Sequence, residues 1–100
     1  MNEMTYDHRI KGAIYDAEVQ MKNSAVAFRP IRQTAEAVII KGGFPPIGAD
    51  DEKLEEEVVP LAQILSATDP VQPLREAIYR IEDKVCPPGI PHARVYRVDP

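Results

Sequence analysis

Two apolar stripes at helical spacing dominate the second half of the chain. Leu54, Val58, Leu61 and Leu65 fall at i, i+4, i+7 and i+11, and Leu74, Ile78, Ile81 and Val85 repeat that spacing. Each stripe has a polar opposite side and needs a partner surface. The nearest is the other stripe, across the short link at 66–70. The pattern predicts a helical hairpin over Asp50–Val85. Asp50, Asp51 and Glu52 suit the N-terminal end of a helix dipole. Pro60 lacks an amide donor inside the first stripe, which predicts a kink. Thr68 or Asp69 is placed to cap the second helix, and Pro73 moves its secure start towards Leu74. Cys86-Pro87-Pro88-Gly89 ends it.

The first half reads mainly as strand. Residues 1–11 are polar with scattered apolar positions and are expected to be a loose N-terminus. From Tyr15 the chain alternates, with Tyr15, Ala17, Val19 and Met21 on one side and Asp16, Glu18, Gln20 and Lys22 on the other. That is a half-buried strand by period. A helical stripe through Ile10, Ala13, Ile14, Ala17 and Met21 fits equally well by count, but Gly12 would cost such a helix about 1 kcal/mol, so the strand is preferred. Asn23-Ser24 makes a turn. Residues 25–29 return as a second strand that stops or lies at an edge at Pro30. Thr34–Lys41 is read as a third, on the β-branched run Val38-Ile39-Ile40, although Pro30 and Gly42 would also punctuate a helix. Residues 42–49, rich in Gly and Pro, form a linker between sheet and hairpin, with Phe44 and Ile47 as anchors. Ala93–Val98 could add a last strand. The expected fold is α+β: a small antiparallel sheet (N-terminal meander plus a C-terminal strand) packed on a helical hairpin, within one domain spanning 1–100.

Composition narrows the setting. The chain is 44% apolar and 28% charged, which suits a folded domain, but it has only two Phe and no Trp, so its core is thin. A homodimer that buries further apolar surface is therefore expected. The net charge is −4, with the acids concentrated after residue 49 and no basic run anywhere. Direct nucleic-acid binding and attachment to an anionic membrane are disfavoured. Cys86 is the only cysteine, so neither an internal disulfide nor a cysteine zinc cage can form. The opening Met1-Asn2-Glu3 lacks a leader pattern, and no apolar run approaches a membrane span. The expectation is a complete small cytoplasmic protein.

Candidate chemistry is sparse. His8 and His92 have no converging partners in sequence, and the ordinary reading is two exposed imidazoles. Cys86 sits at a helix C-terminus, where the dipole disfavours a thiolate. The acidic run at 50–57 reads first as a solvated helix face, then as a docking surface, and lacks EF-hand spacing for a cation. Gly42-Gly43 and Gly48 match no phosphate-binding motif. Arg29 and Arg32, like Arg94 and Arg97, are expected to pair with the 50–57 carboxylates rather than bind anions. The helical hairpin is too mixed in charge for a DNA-reading helix-turn-helix. No catalytic residues, cofactor or metal are assigned.

The leading expectation is a small non-catalytic cytoplasmic protein-interaction domain, a regulator, adaptor or inhibitor of bacterial or phage origin. Its candidate partner-binding residues are Glu55, Glu56, Arg75, Tyr79 and Arg80. One alternative is a small oligomeric enzyme with a subunit-junction site built from His92, Arg94, Tyr96 and an acid of the 50–57 run. Another is an acidic nucleic-acid mimic.

Overall fold

A computed structural model describes residues 2–50 and 53–87. They form helix α1 (Asn2–Met21), strands β1 (Ala27–Phe28), β2 (Arg32–Gln33), β3 (Ala37–Gly43) and β4 (Glu55–Pro60), and helices α2 (Leu61–Ser66) and α3 (Gln72–Val85). The strands make a single antiparallel sheet with helices packed against it, so the α+β class holds. The expected C-terminal strand at 93–98 lies outside the described residues.

Residues 15–22, read as a strand, belong to α1 and the turn that follows it. The rival helical stripe is the correct one: Ile10, Ala13, Ala17 and Met21 are buried on one helix face. Gly12 sits on the exposed side of that helix. Its cost of about 1 kcal/mol is outweighed by roughly 3–6 kcal/mol from burying Ile10 and Met21. The alternation has another origin. Ala17 and Met21 enter the core, while Tyr15 and Val19 point to solvent. α1 also runs through 2–11, the segment expected to be loose.

β3 is the middle strand. Gly42 pairs with Phe28 on one side and Glu55 on the other, and Ile39 pairs with Arg32 and Val58. β1 and β2 therefore share one edge of β3. Between the Phe28–Gly42 and Arg32–Ile39 pairs, their side carries one residue more than β3 does. That is a β-bulge, and it falls where Pro30 has no amide to give the ladder. Thr34 leaves the strand assigned to it and makes the turn into β3, its Oγ1 accepting the Glu36 and Ala37 amides at 3.2 and 3.0 Å. Gly42 and Gly43, expected in a linker, are strand residues. A Cβ on Gly42 would come within 2.6 Å of Phe28 Cδ1, so the glycine lets that ring lie against the sheet.

The first arm of the expected hairpin is the larger correction. Residues 55–60 form β4, paired along its length with β3, and only Leu61 and Leu65 of that stripe lie on a helix. Leu54 and Val58 misled because positions four apart share a face in a strand as well as in a helix. Pro60 does not kink a helix; it ends β4 and immediately precedes α2. The link to α3 falls where expected, but the N-cap is Val71 rather than Thr68 or Asp69, and no side chain caps the helix. The Asp69 carboxylate accepts the Val71 amide at 3.2 Å, and Pro73 sits in the first turn, where no amide partner is needed.

α3 lies on the inner face of the sheet, antiparallel to β4, since Lys84 near its end reaches Glu55 and Glu57 near the start of the strand. α1 lies beside α3 on the β1–β2 side and runs in the same direction. Its contacts advance together, from Arg9 at the Ala67 carbonyl to Gln20 at Tyr79, and Glu18 accepts the Ile31 amide at 3.1 Å. The core between these layers holds Val38, Ile40, Val59, Ile64, Leu74, Ala77, Ile78 and Ile81.

Candidate interaction surfaces

The five residues proposed from sequence fall into three places. Arg75 and Tyr79 stand together at the α1–α3 seam, bridged by Gln20. Arg75 Nε donates to Gln20 Oε1 at 3.1 Å, and Gln20 Nε2 donates to the Tyr79 hydroxyl at 3.0 Å. Arg75 also reaches Gln72 Oε1 at 2.8 Å and Asp69 at 3.6 Å. Arg80 points the other way, towards β4. Glu55 approaches Lys84 at 4.0 Å, while Glu56 lies on the outer sheet face, 3.6 Å from Lys41. The five do not form one patch.

Arg80 and Lys84 converge instead on Glu57, whose side chain is only 14% exposed, at 2.7 and 3.2 Å. Burial pushes the Glu57 carboxyl up. Hydrogen bonds and charge from Arg80 and Lys84 outweigh it and hold the group below its usual range. The strand position explains the convergence. Glu57 is the cross-strand partner of Ile40, so both side chains share the helix-facing side, and the two cations sit one helical turn apart on α3. The acidic run thus clamps a helix to the sheet through its last glutamate, a role the helical reading of 55–57 concealed. In the described contacts Glu55, Glu56 and Glu57 pair with Lys84, Lys41 and Arg80, and Arg32, expected there, is not among their partners. Arg29 donates to the Gly48 carbonyl.

Among the described residues, two surfaces expose apolar side chains. The first is a groove of about 400 Å³ beside α1, lined by Tyr15, Glu18, Val19, Met21, Lys22 and Phe28. Tyr15 is 67% and Val19 42% exposed, one turn apart on the side of α1 away from the core. The second is the outer face of the sheet. Register puts Arg32, Ile39 and Val58 in one row, Lys41 and Glu56 in the next, and Ala37 and Pro60 in a third. Val58 is 53% exposed, Pro60 is exposed, and Ile39 is half-buried. Past Lys41 this face is covered by the loop before β4, where Leu54 Cδ2 and Ile47 Cγ2 would meet a Cβ on Gly43 at 2.9 and 3.2 Å. Ile47 therefore anchors its loop as expected, but on the outer face rather than the core.

His8 is exposed, beside Arg9 and Asp16 near the start of α3. Cys86 follows the last turn of α3, its amide donating to the Glu82 carbonyl at 3.0 Å. Among the described residues, no three His, Cys, Asp or Glu side chains are grouped to hold a metal ion, and no helix is long and apolar enough to cross a membrane. His92, Arg94 and Tyr96 of the enzyme alternative lie outside the described residues.

The chain matches no protein-family model, and neither a curated protein nor a solved structure is significantly similar to it.

Proposed function

We propose that this chain is a non-catalytic, cytoplasmic protein-interaction domain that docks a protein partner in the groove beside α1. The observation that carries this reading is the second apolar stripe of α1. A helix that has already buried Ile10, Ala13, Ala17 and Met21 against its own fold still presents Tyr15 and Val19 outward, next to Met21 and Phe28. Single exposed apolar residues are ordinary. A contiguous set lining a groove marks a contact site. The partner that fits inserts a large apolar side chain between Tyr15 and Phe28, with a carboxylate beside it to meet the Lys22 ammonium. Covering Tyr15 and Val19 supplies about 1.5–3 kcal/mol each, enough for a specific but reversible contact once ordering costs are met. Arg75 and Tyr79 lie along the α1–α3 seam and keep the helix carrying the groove in register with α3.

A photo-crosslinking residue placed at Val19, with Gln63 on the exposed side of α2 as control, tests this in cells of the source organism. The expected result is a discrete protein adduct at position 19 that is absent at 63 and is lost on Tyr15→Ser. Calorimetric titration of the purified partner should then show binding weakened at least tenfold by the same substitution. No adduct, or equal adducts at both positions, would overturn the reading.

A further inference from the structure

The outer face of the sheet carries a second inference, independent of the α1 groove. The geometry points to a second copy of this chain as its occupant, packed face to face so that β3 of each protomer lies over β4 of the other. Among the described residues, helices cover the inner face, and the outer face keeps Ile39, Val58, Ala37 and Pro60 beside the ion pair Lys41–Glu56 at 3.6 Å. Those residues are arranged for self-recognition. The register aligns Lys41 with Glu56, Ile39 with Val58, and Ala37 with Pro60, each pair taking one member from β3 and one from β4.

A two-fold axis parallel to the strands, above the line between β3 and β4, exchanges the two members of every pair. It sets Lys41 over the second copy's Glu56 and Glu56 over its Lys41, with Ile39 over Val58 in both directions. Two sheets packed at the usual spacing of about 10 Å meet in this aligned manner. An interface of this kind is isologous, each contact occurring twice. The Lys41–Glu56 pair complements its own image, which favours a second copy of the chain over any other occupant. Arg32, in the row of Ile39 and Val58, falls at the rim.

Size sets the strength. β3 and β4, paired over six residues about 4.8 Å apart, with the two-residue β2 beside them, give a face on the order of 200–300 Å² per copy. Standard interfaces bury about 800 Å² per partner, so this dimer is weak. The expectation of a dimer drawn from the thin core thereby acquires a surface and a register.

Sedimentation equilibrium of the full chain from 10 µM to 1 mM tests it. The mass should rise from that of one chain, 11.2 kDa, towards twice that value. Val58→Glu and Val58→Ser, at an exposed position, should each weaken association at least tenfold. Circular dichroism of both variants should match the parent. The register is tested by charge exchange: Lys41→Glu and Glu56→Lys should each weaken self-association severalfold, while an equimolar mixture of the two should associate within about twofold of the parent. In the mixture alone, each Glu at 41 or 56 faces a Lys. A single-chain mass at 1 mM, association indifferent to Val58, or a mixture no tighter than its components would each overturn the proposal.

Discussion

Removing the charge of Glu57 should loosen α3 from the sheet, and the size of the effect follows from its surroundings. The carboxylate is 14% exposed and takes Arg80 Nε at 2.7 Å and Lys84 Nζ at 3.2 Å. Hydrogen bonds to charged groups contribute about 1.5–3 kcal/mol, whereas exposed ion pairs contribute under about 1 kcal/mol. Arg80 and Lys84 are 50% and 49% exposed, so water regains them when the acceptor is neutralised. The loss for Glu57→Gln therefore lies between those limits, at about 1–1.5 kcal/mol. With a urea dependence of about 1–1.5 kcal/mol per molar, the unfolding midpoint should fall by roughly 1 M at pH 7. The pH dependence gives the sharper test. Although burial alone would raise the Glu57 pKa, its partners leave it lowered from 4.5 in the folded chain, so as pH falls the unfolded chain takes up the proton first. The stabilisation is therefore full above that ordinary value and is lost as pH falls through the lower folded value. The gap between parent and variant midpoints should be widest at neutral pH and narrow steadily below about pH 4.5. Equal midpoints at pH 7, or a gap that stays constant into strong acid, would refute the clamp.

Other substitutions probe the remaining layers. Gly12→Ala meets open space on the exposed side of α1 and should raise stability by about 0.5–1 kcal/mol in thermal unfolding; a loss would contradict the helix there. Gly42→Ala drives a Cβ to 2.6 Å from the Phe28 ring and 3.1 Å from the Ala27 carbonyl, and should cost about 1–3 kcal/mol, while Gly48→Ala, in open space, should stay within about 0.5 kcal/mol of the parent. Ser24→Ala removes the hydroxyl that donates to buried Glu82 at 2.6 Å, with an expected loss of about 1–3 kcal/mol by urea titration. Leu74→Ala empties a site with no solvent exposure and should cost about 2–5 kcal/mol; a change below 1 kcal/mol would show that α3 is not central to the core.

The α3 stripe was legible because every signal agreed. Leu74, Ile78 and Ile81 are buried at the spacing that announces them, and Pro73 and Cys86 mark the ends. The failures share one cause: two periods coincide over short spans. Leu54 and Val58 fit a helix and a strand alike, and three consecutive glutamates carry no strand propensity of their own. β4 exists because Val38, Ile39 and Ile40 of β3 supply a partner along its length, which is information distant in sequence. In α1 the alternating pattern recorded two different surfaces, the core through Ala17 and Met21 and the groove through Tyr15 and Val19. The candidate residues were scattered for the same reason. Arg75, Tyr79 and Arg80 were placed on one helix, but which side each one serves depends on Gln20 and Glu57, fifty-five and twenty-three residues away.

The parallel seating of α1 on α3 bears on synthesis. Its tethers join residues 59 and 58 positions apart, Gln20 to Tyr79 and Ser24 to Glu82. α1 emerges from the ribosome first, yet the surface that covers Ala17 and Met21 is not translated until α3 follows. At about 5–20 residues per second, both apolar sides of α1 remain uncovered for roughly 3–12 seconds in every round of translation. During that interval the nascent helix is amphipathic on two sides, a form suited to chaperones that hold apolar helices. Slowing translation between codons 25 and 70 should therefore lower the yield of folded chain more than the same delay placed after codon 86.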